Sequence, residues 1–156
     1  MKWFIKSIRN YVNFSGRARR SEYWYFVLFS ILLMLVAFIL DWICFGRSSL
    51  FYGLAGLFLF LPNLAVMSRR LHDIGRSAKI LIWYYVIGIV WSIALVISGA
   101  SVILSGSGSM SVGFLVLLVG GSLVFFVWGI VFLVWFCTAG TSGENQYGPD
   151  PKQIEA

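Results

Sequence analysis

Residues 68–79, Ser-Arg-Arg-Leu-His-Asp-Ile-Gly-Arg-Ser-Ala-Lys, form a dense polar segment between two long apolar runs. The segment holds the single histidine of the chain, His72, and four of its twelve lysines and arginines. A short polar connection between apolar runs of membrane-spanning length is typical of a tight turn between two transmembrane helices. We therefore predict that the chain is organised around this turn.

The composition predicts an integral membrane protein. Hydrophobic residues make up 60% of the 156 residues and charged residues only 12%, whereas a soluble domain averages about 45–50% and about 25%. This length suits one membrane domain over residues 1–156. The net charge of +6 comes from basic residues that flank the apolar runs. We therefore expect contact with anionic lipid headgroups and no nucleic-acid partner.

The apolar runs predict four transmembrane helices, because each is close to the ~20 residues that a span requires. The predicted spans cover residues 23–41, 50–67, 80–104 and 112–136. Residues 1–14 predict a short amphipathic helix in the headgroup plane, since basic residues recur at helical spacing opposite apolar ones. The fold class is therefore an all-α polytopic membrane protein, a compact four-helix bundle with an amino-terminal interfacial helix.

Three connecting features complete this prediction. Ser21 is a plausible N-cap of the first span, with Glu22 placed where a negative charge suits the helix dipole. Residues 105–111, Ser-Gly-Ser-Gly-Ser-Met-Ser, predict a flexible loop. Residues 137–156 are rich in turn-forming residues and predict a tail that cannot be a fifth span.

The basic residues predict the orientation of the chain. Ten of them lie before the first span or in the second connection, while the first connection has Arg47 alone and the third has none. Cytoplasmic loops carry an excess of lysine and arginine. We therefore expect both termini in the cytoplasm.

Three motifs lie in order along the chain: Gly-Arg-Ala-Arg-Arg-Ser-Glu-Tyr-Trp at 16–24, a second at 62–77 that ends Arg-Arg-Leu-His-Asp-Ile-Gly-Arg-Ser, and Gly-Thr-Ser-Gly-Glu-Asn-Gln-Tyr-Gly-Pro-Asp-Pro at 140–151. Together they resemble the family called "domain of unknown function 805", the YhaH-type proteins of the bacterial inner membrane. The resemblance spans nearly the whole chain and implies an inner-membrane location and four helices. It implies no established activity, so the function has to be argued from the residues.

The predicted topology brings the three motifs to the cytoplasmic face. If the second helix continues past Met67, then Arg69, His72 and Asp73 share one face, and Gly75 ends the helix as its C′ residue. The candidate site comprises the charged and polar residues of the first two motifs: Arg17, Arg19, Arg20, Glu22, Arg69, Arg70, His72, Asp73, Arg76 and Ser77. Spacing leaves open whether Asp73 pairs with Arg69 or with the arginines at 17, 19 and 20, and whether Glu22 turns to Arg69 or Arg70.

Two functions of this cluster are open at this point. The ion pairs can serve only to lock two helix ends together. Alternatively, residues 75–77 lead into the amino terminus of the third span, where the dipole and free N–H groups favour an anion. A lipid phosphate is the nearest anion at that depth, and a membrane-protein partner or a second copy of the chain is the alternative to lipid.

The enzyme and channel hypotheses have less support. His72 and Asp73 suggest a general base or a metal ligand, but one histidine cannot build the usual three-histidine zinc site. We predict no enzyme, no catalytic residue, no metal and no cofactor. A channel or transporter subunit remains an alternative, because a self-assembled pore lined by Ser92, Ser98 and Ser101 needs no charge inside the spans.

The third motif predicts that the tail packs against the rest of the chain. Its acidic residues face the basic helix ends, so we expect residues 145–151 to fold back onto them. Asn145, Tyr147 and Pro149 are the expected packing residues, with the ring of Tyr147 entering between helix ends and Pro149 stiffening the turn.

Overall fold

The structure is a computed structural model that describes residues 2–46, 49–105 and 111–154. These residues form helices and no strand; the helices are α1 (Lys2–Arg9), α2 (Arg20–Phe45), α3 (Leu50–Asp73), α4 (Lys79–Leu104), α5 (Val112–Cys137) and α6 (Pro151–Ile154). Helices α2 to α5 are long and apolar enough to cross a membrane. The predicted all-α class with four transmembrane helices is therefore confirmed.

The first two spans extend beyond the apolar runs that predict them. Helix α2 starts at Arg20 and continues past Asp41 to Phe45. The prediction that Ser21 is the N-cap is wrong, because Arg19 holds that position and its carbonyl already accepts a hydrogen bond from the N–H of Tyr23 (3.2 Å). Parts of two connections lie outside the described part of the chain: residues 47–48 between α2 and α3, which include Arg47, and residues 106–110 between α4 and α5.

Helix α3 continues into the polar segment and ends at Asp73, with Gly75 as its C′ residue as predicted. The N–H of Gly75 donates to the carbonyl of His72 (3.0 Å), and the N–H of Arg76 donates to that of Leu71 (2.9 Å). This pair of bonds is a Schellman motif, which needs a left-handed residue at C′. Gly75 supplies it with φ +74°, so the chain leaves α3 at a fixed point.

The described chain divides into two compact units. The first combines residues 1–78 with 136–156, and the second covers residues 79–135. A single domain over the whole chain stays a prediction.

In the first unit, α2 and α3 form an antiparallel hairpin that is fastened near their connection. The buried carboxylate of Asp41 accepts hydrogen bonds from the backbone N–H groups of Phe51 (2.9 Å) and Tyr52 (2.8 Å). The first N–H groups of a helix have no partner within it, and Ser49, the N-cap of α3, makes no side-chain bond. A residue of α2 therefore caps α3.

Helix α1 packs on the other end of the hairpin. The ring of Phe4 lies 5.8 Å from that of Phe26 and 5.3 Å from that of Phe29, between ring centroids. The exposed side chains of α1 include Arg9. This is the amphipathic helix that the sequence predicts, although it ends at Arg9; its position in the headgroup plane stays a prediction.

In the second unit, aromatic side chains hold α4 and α5 together. The ring of Trp91 lies over Gly121, where an added Cβ would come within 2.0 Å of its Nε1, and this N–H donates to the carbonyl of Leu117 (3.0 Å). The ring of Phe125 packs against Trp91 and Tyr84. The three serines considered as pore-lining residues donate to carbonyls of their own helix, and these bonds favour no pore.

Candidate functional site

The amino-terminal motif, the end of α3 and the tail meet at one end of the first unit. The N–H of Ala18 donates to the carbonyl of Arg69 (3.0 Å), and the N–H of Thr141 donates to the carbonyl of Asp73 (2.9 Å). We call residues 2–22, 68–77 and 137–154 the polar end. All ten residues of the predicted cluster belong to the polar end, as do the three predicted tail residues.

Glu22 is the centre of the first ion-pair group. It is fully buried, and its carboxylate pairs with Arg69 (2.6 Å) and with Lys6 of α1 (3.2 Å). Of the two partners that spacing left open for Glu22, the structure therefore selects Arg69. Lys6 is a partner that the sequence analysis missed; its signal was its place on the basic face of α1. This group joins α1, α2 and α3.

Asp73 is the centre of the second group. Its carboxylate pairs with Arg17 (3.0 Å) and with Arg70. The alternative pair with Arg69 is wrong, since that guanidinium is taken by Glu22. Arg17 was among the predicted partners and Arg70 was not, because residues three and four apart on a helix are both neighbours and spacing alone cannot choose between them.

The buried arginines also bind the backbone of the tail. The guanidinium of Arg17 donates to the carbonyls of Gly143 (2.6 Å), Gly148 (3.3 Å) and Thr141. Arg70 donates to the carbonyls of Phe136 (3.3 Å) and Thr138. Cations suit the carboxyl-terminal end of a helix such as α5, where carbonyls lack partners. The guanidinium groups of Arg17 and Arg70 are thus committed to internal contacts.

The tail lies on the end of α3 and on His72 in particular. The amide of Asn145 donates to the carbonyl of His72 (3.0 Å), and the ring of Tyr147 stacks on the imidazole with centroids 3.9 Å apart and planes at 6°. Tyr147 thus covers one face of the imidazole, and the insertion of its ring between helix ends stays a prediction. Pro149 is exposed, and the imidazole Nδ1 contacts the carbonyl of Gly16 (3.2 Å).

Two further tail residues, missed by the sequence analysis, fix its path. Gly140 lies so close to Asp73 that an added Cβ would come within 2.1 Å of its Oδ2. Asp150 accepts hydrogen bonds from the N–H groups of Lys152 (2.9 Å) and Gly143 (3.2 Å). These two bonds lower the pKa of Asp150, with the larger effect from Lys152. Asp150 therefore caps α6 and closes the loop that Arg17 holds.

The charges that remain at the surface of the polar end are mostly positive. Arg9, Arg20, Arg76 and Lys152 are exposed, and Arg19 is half-buried with its guanidinium 5.7 Å from the ring centroid of Trp3. The acidic residues in the described part of the chain are buried, except Glu144. Internal ion pairs and backbone N–H groups thus hold the buried carboxylates, and the exposed charges of the polar end are mostly positive.

The described residues contain no group of side chains arranged to bind a metal ion or to act as a catalytic site. They contain no cluster of three or more His, Cys, Asp or Glu side chains that could hold a metal ion. Asp73 is held by two arginines, and His72 is stacked and bonded to a backbone carbonyl. Ser77 is half-buried in the turn after α3. Nothing in this arrangement indicates an enzyme.

Comparison with known proteins places the chain among membrane proteins without a known activity. A family model described as "Protein of unknown function (DUF805)" matches residues 11–149. The chain is 35% identical to "Inner membrane protein YhaH" of Escherichia coli (strain K12) over 156 residues, covering 97% of this chain and 98% of the relative. It is 34% identical to "Inner membrane protein YhaI" of the same strain, covering 97% of both. No solved structure matches it.

Proposed function

The chain belongs to the DUF805 family and is a multi-pass protein of the inner membrane, and we propose that it is a small accessory or scaffold protein whose polar end binds anionic lipid headgroups. One observation carries the proposal: the exposed cations of the polar end face no comparable set of exposed carboxylates in the described residues. Basic residues at a membrane surface attract anionic lipids by about 1 kcal/mol each.

The buried arginines are assigned a structural role in this proposal. Arg17, Arg69 and Arg70 hold Glu22, Asp73 and the tail carbonyls, so they build the surface and do not bind the ligand. The proposed anion site therefore consists of the exposed cations, of which Arg20 and Arg76 belong to the predicted cluster.

The test compares the lipids that the purified protein retains. A variant in which Arg9, Arg20, Arg76 and Lys152 are all replaced by glutamine should lose most of the excess of phosphatidylglycerol over phosphatidylethanolamine that wild type carries, as read by lipid mass spectrometry. Glu144→Gln, which removes an exposed carboxylate of the tail, is the matched control and should keep or increase this excess. An unchanged lipid composition in the fourfold variant contradicts the proposal.

The second candidate is a purely structural charged cluster without a ligand. It is favoured by the buried ion pairs, since burying charges is tolerated only when they are paired. Under this hypothesis the fourfold variant keeps the lipid composition of wild type, while Arg70→Ala exposes the tail to protease. The two measurements together separate the candidates.

A further inference from the structure

A groove of about 530 Å³ runs between α2 and α3 in the first unit. Its walls extend from Phe26 to Met34 on α2 and from Tyr52 to Asn63 on α3, and they are mostly apolar. At a rise of 1.5 Å per residue the α3 wall is about 16 Å long. Half of a ~30 Å hydrocarbon core is about 15 Å thick. The groove therefore matches the length of one acyl chain in one leaflet.

The face of α2 that lines the groove leads to a cation. Arg20, Val27 and Met34 are seven residues apart, which places them on one face of the helix. Arg20 is exposed and begins α2, about 9 Å along the axis from Phe26. Helical spacing thus aligns the apolar groove with a guanidinium at the polar end.

A second cation lies beside Arg20. Lys152 of α6 is exposed and lines the same small cleft as Arg20. The carboxylates of Asp73 and Asp150 line this cleft too, but Asp73 is held by two buried arginines and Asp150 by backbone N–H groups. Arg20 makes one hydrogen bond to the tail, from Nη1 to the carbonyl of Cys137 (3.3 Å). A guanidinium binds phosphate in a bidentate manner, and a lysine ammonium adds a point charge. Two cations beyond one end of an apolar groove are complementary to an anionic amphiphile.

We propose that this groove holds one acyl chain of an anionic phospholipid whose phosphate is bound by Arg20 and Lys152. The inference rests on the proposed function and gives it one defined lipid site. The charge at one end favours a lipid over the apolar helix of a second copy, because a lipid phosphate adds a counter-ion for Arg20 and Lys152 and an apolar helix adds none.

The test uses phosphatidylglycerol with a photoreactive diazirine on its acyl chain, in vesicles that contain the full-length protein. Mass spectrometry of wild type should map adducts to residues 26–34 and 52–63. Gly56 lines the groove, and an added Cβ there meets only the Met34 Cε at 3.8 Å. A leucine side chain at this position therefore has room to enter the groove and occupy it. Gly53→Leu is the matched control, since Gly53 does not line the groove and has nothing within 4 Å of an added Cβ.

We expect Gly56→Leu to reduce labelling in these two segments about tenfold, which corresponds to about 1.4 kcal/mol of binding free energy. Labelling of Gly53→Leu should equal that of wild type. Arg20→Gln with Lys152→Gln should reduce labelling by the phosphatidylglycerol probe and not by the matching phosphatidylcholine probe. Elution volume in size-exclusion chromatography checks that every variant is folded.

The outcomes separate this inference from the proposed function. Equal labelling of Gly56→Leu and Gly53→Leu, with the excess of retained phosphatidylglycerol intact, overturns the groove and leaves the function standing. A disulfide between two copies of an Ile31→Cys variant, with Cys44 and Cys137 replaced by serine, also overturns it, in favour of a second copy. The function itself is tested by the lipids that the fourfold variant retains, a measurement that needs no labelling. An unchanged excess of phosphatidylglycerol in that variant overturns the function.

Discussion

The hydroxyl of Tyr11 donates a hydrogen bond to the carbonyl oxygen of Phe58 (2.5 Å), and the two rings pack with centroids 5.6 Å apart. In a regular helix this carbonyl would accept from the residue four positions on, which here is Pro62 and has no N–H. A carbonyl without a donor is costly in a membrane, so the segment after α1 supplies the missing bond.

We expect Tyr11→Phe to lower the free energy of unfolding by about 1–2 kcal/mol, because the ring stays and only the hydroxyl is lost. The measurement is unfolding by sodium dodecyl sulfate in mixed micelles. Tyr25→Phe, at an exposed tyrosine, is the control and should change little. Equal losses in both variants contradict this role of Tyr11.

Gly140→Ala should release the tail, because the new Cβ would overlap the carboxylate of Asp73 that Arg17 and Arg70 hold in place. Limited proteolysis should then cleave residues 138–150 at least about tenfold faster than in wild type, as expected when a local structure loses about 1.4 kcal/mol. Gly53→Ala is the control, and a tail that stays protected in Gly140→Ala counts against the close contact.

Asp41→Ala should weaken the α2/α3 hairpin by about 1–3 kcal/mol, since it removes the acceptor of two N–H groups of α3. Asp41→Asn keeps one acceptor oxygen and should fall between wild type and alanine. Adding Ser49→Asp to Asp41→Ala places a carboxylate at the N-cap of α3 and should restore part of the loss. If it restores nothing, capping is not the role of Asp41.

Acid should open the tail loop through Asp150. Its pKa is lowered below the ordinary 3.8 by the N–H groups of Lys152 and Gly143, so the carboxylate stabilises the loop at every pH above 3.8. This contribution is lost as the pH falls through the lowered pKa. Pepsin cleavage of the tail, normalised to an unstructured peptide, should therefore rise only below pH 3.8. In Asp150→Asn the cleavage should be raised at pH 5 already and show no such step.

Both termini are expected to face the cytoplasm. A reporter enzyme that is active only in the periplasm should be inactive when fused after Ala156, and a cytoplasmic reporter should be active there. The physical reason is the ten basic residues on one side of the predicted spans against one on the other. Periplasmic activity at the carboxyl terminus contradicts the orientation and the assignment of the polar end to the cytoplasmic leaflet.

The sequence predicted those features that depend on local pattern. Apolar length identified four helices, and Gly75 identified the end of α3, because a C′ residue needs a left-handed backbone. The limits of α2 and α3 were too short, since a helix continues through polar residues such as Arg69 and Asp73 once their side chains find partners outside the apolar run. Hydropathy therefore marks the membrane part of a helix and not its ends.

The partners within the polar end were harder to predict. Spacing allows both Arg69 and Arg70 as partners of Asp73, although only Arg69 was predicted, and the packing of α1 and the tail decides between them. Arg17 binds backbone carbonyls of the tail, which every residue has, so no residue type could reveal them. The exposed cations are the part of the candidate site that composition alone did suggest.

The bonds from Arg17 to the tail join residues up to 131 positions apart, and this separation orders the biosynthesis of the protein. At about 5–20 residues per second the ribosome needs roughly ten seconds to make the intervening chain. During this interval the tail carbonyls that Arg17 binds do not yet exist, and Asp73 is the first of its partners to be synthesised. A chain that stops before residue 141 leaves the guanidinium of Arg17 without the three tail carbonyls that it binds in the full structure.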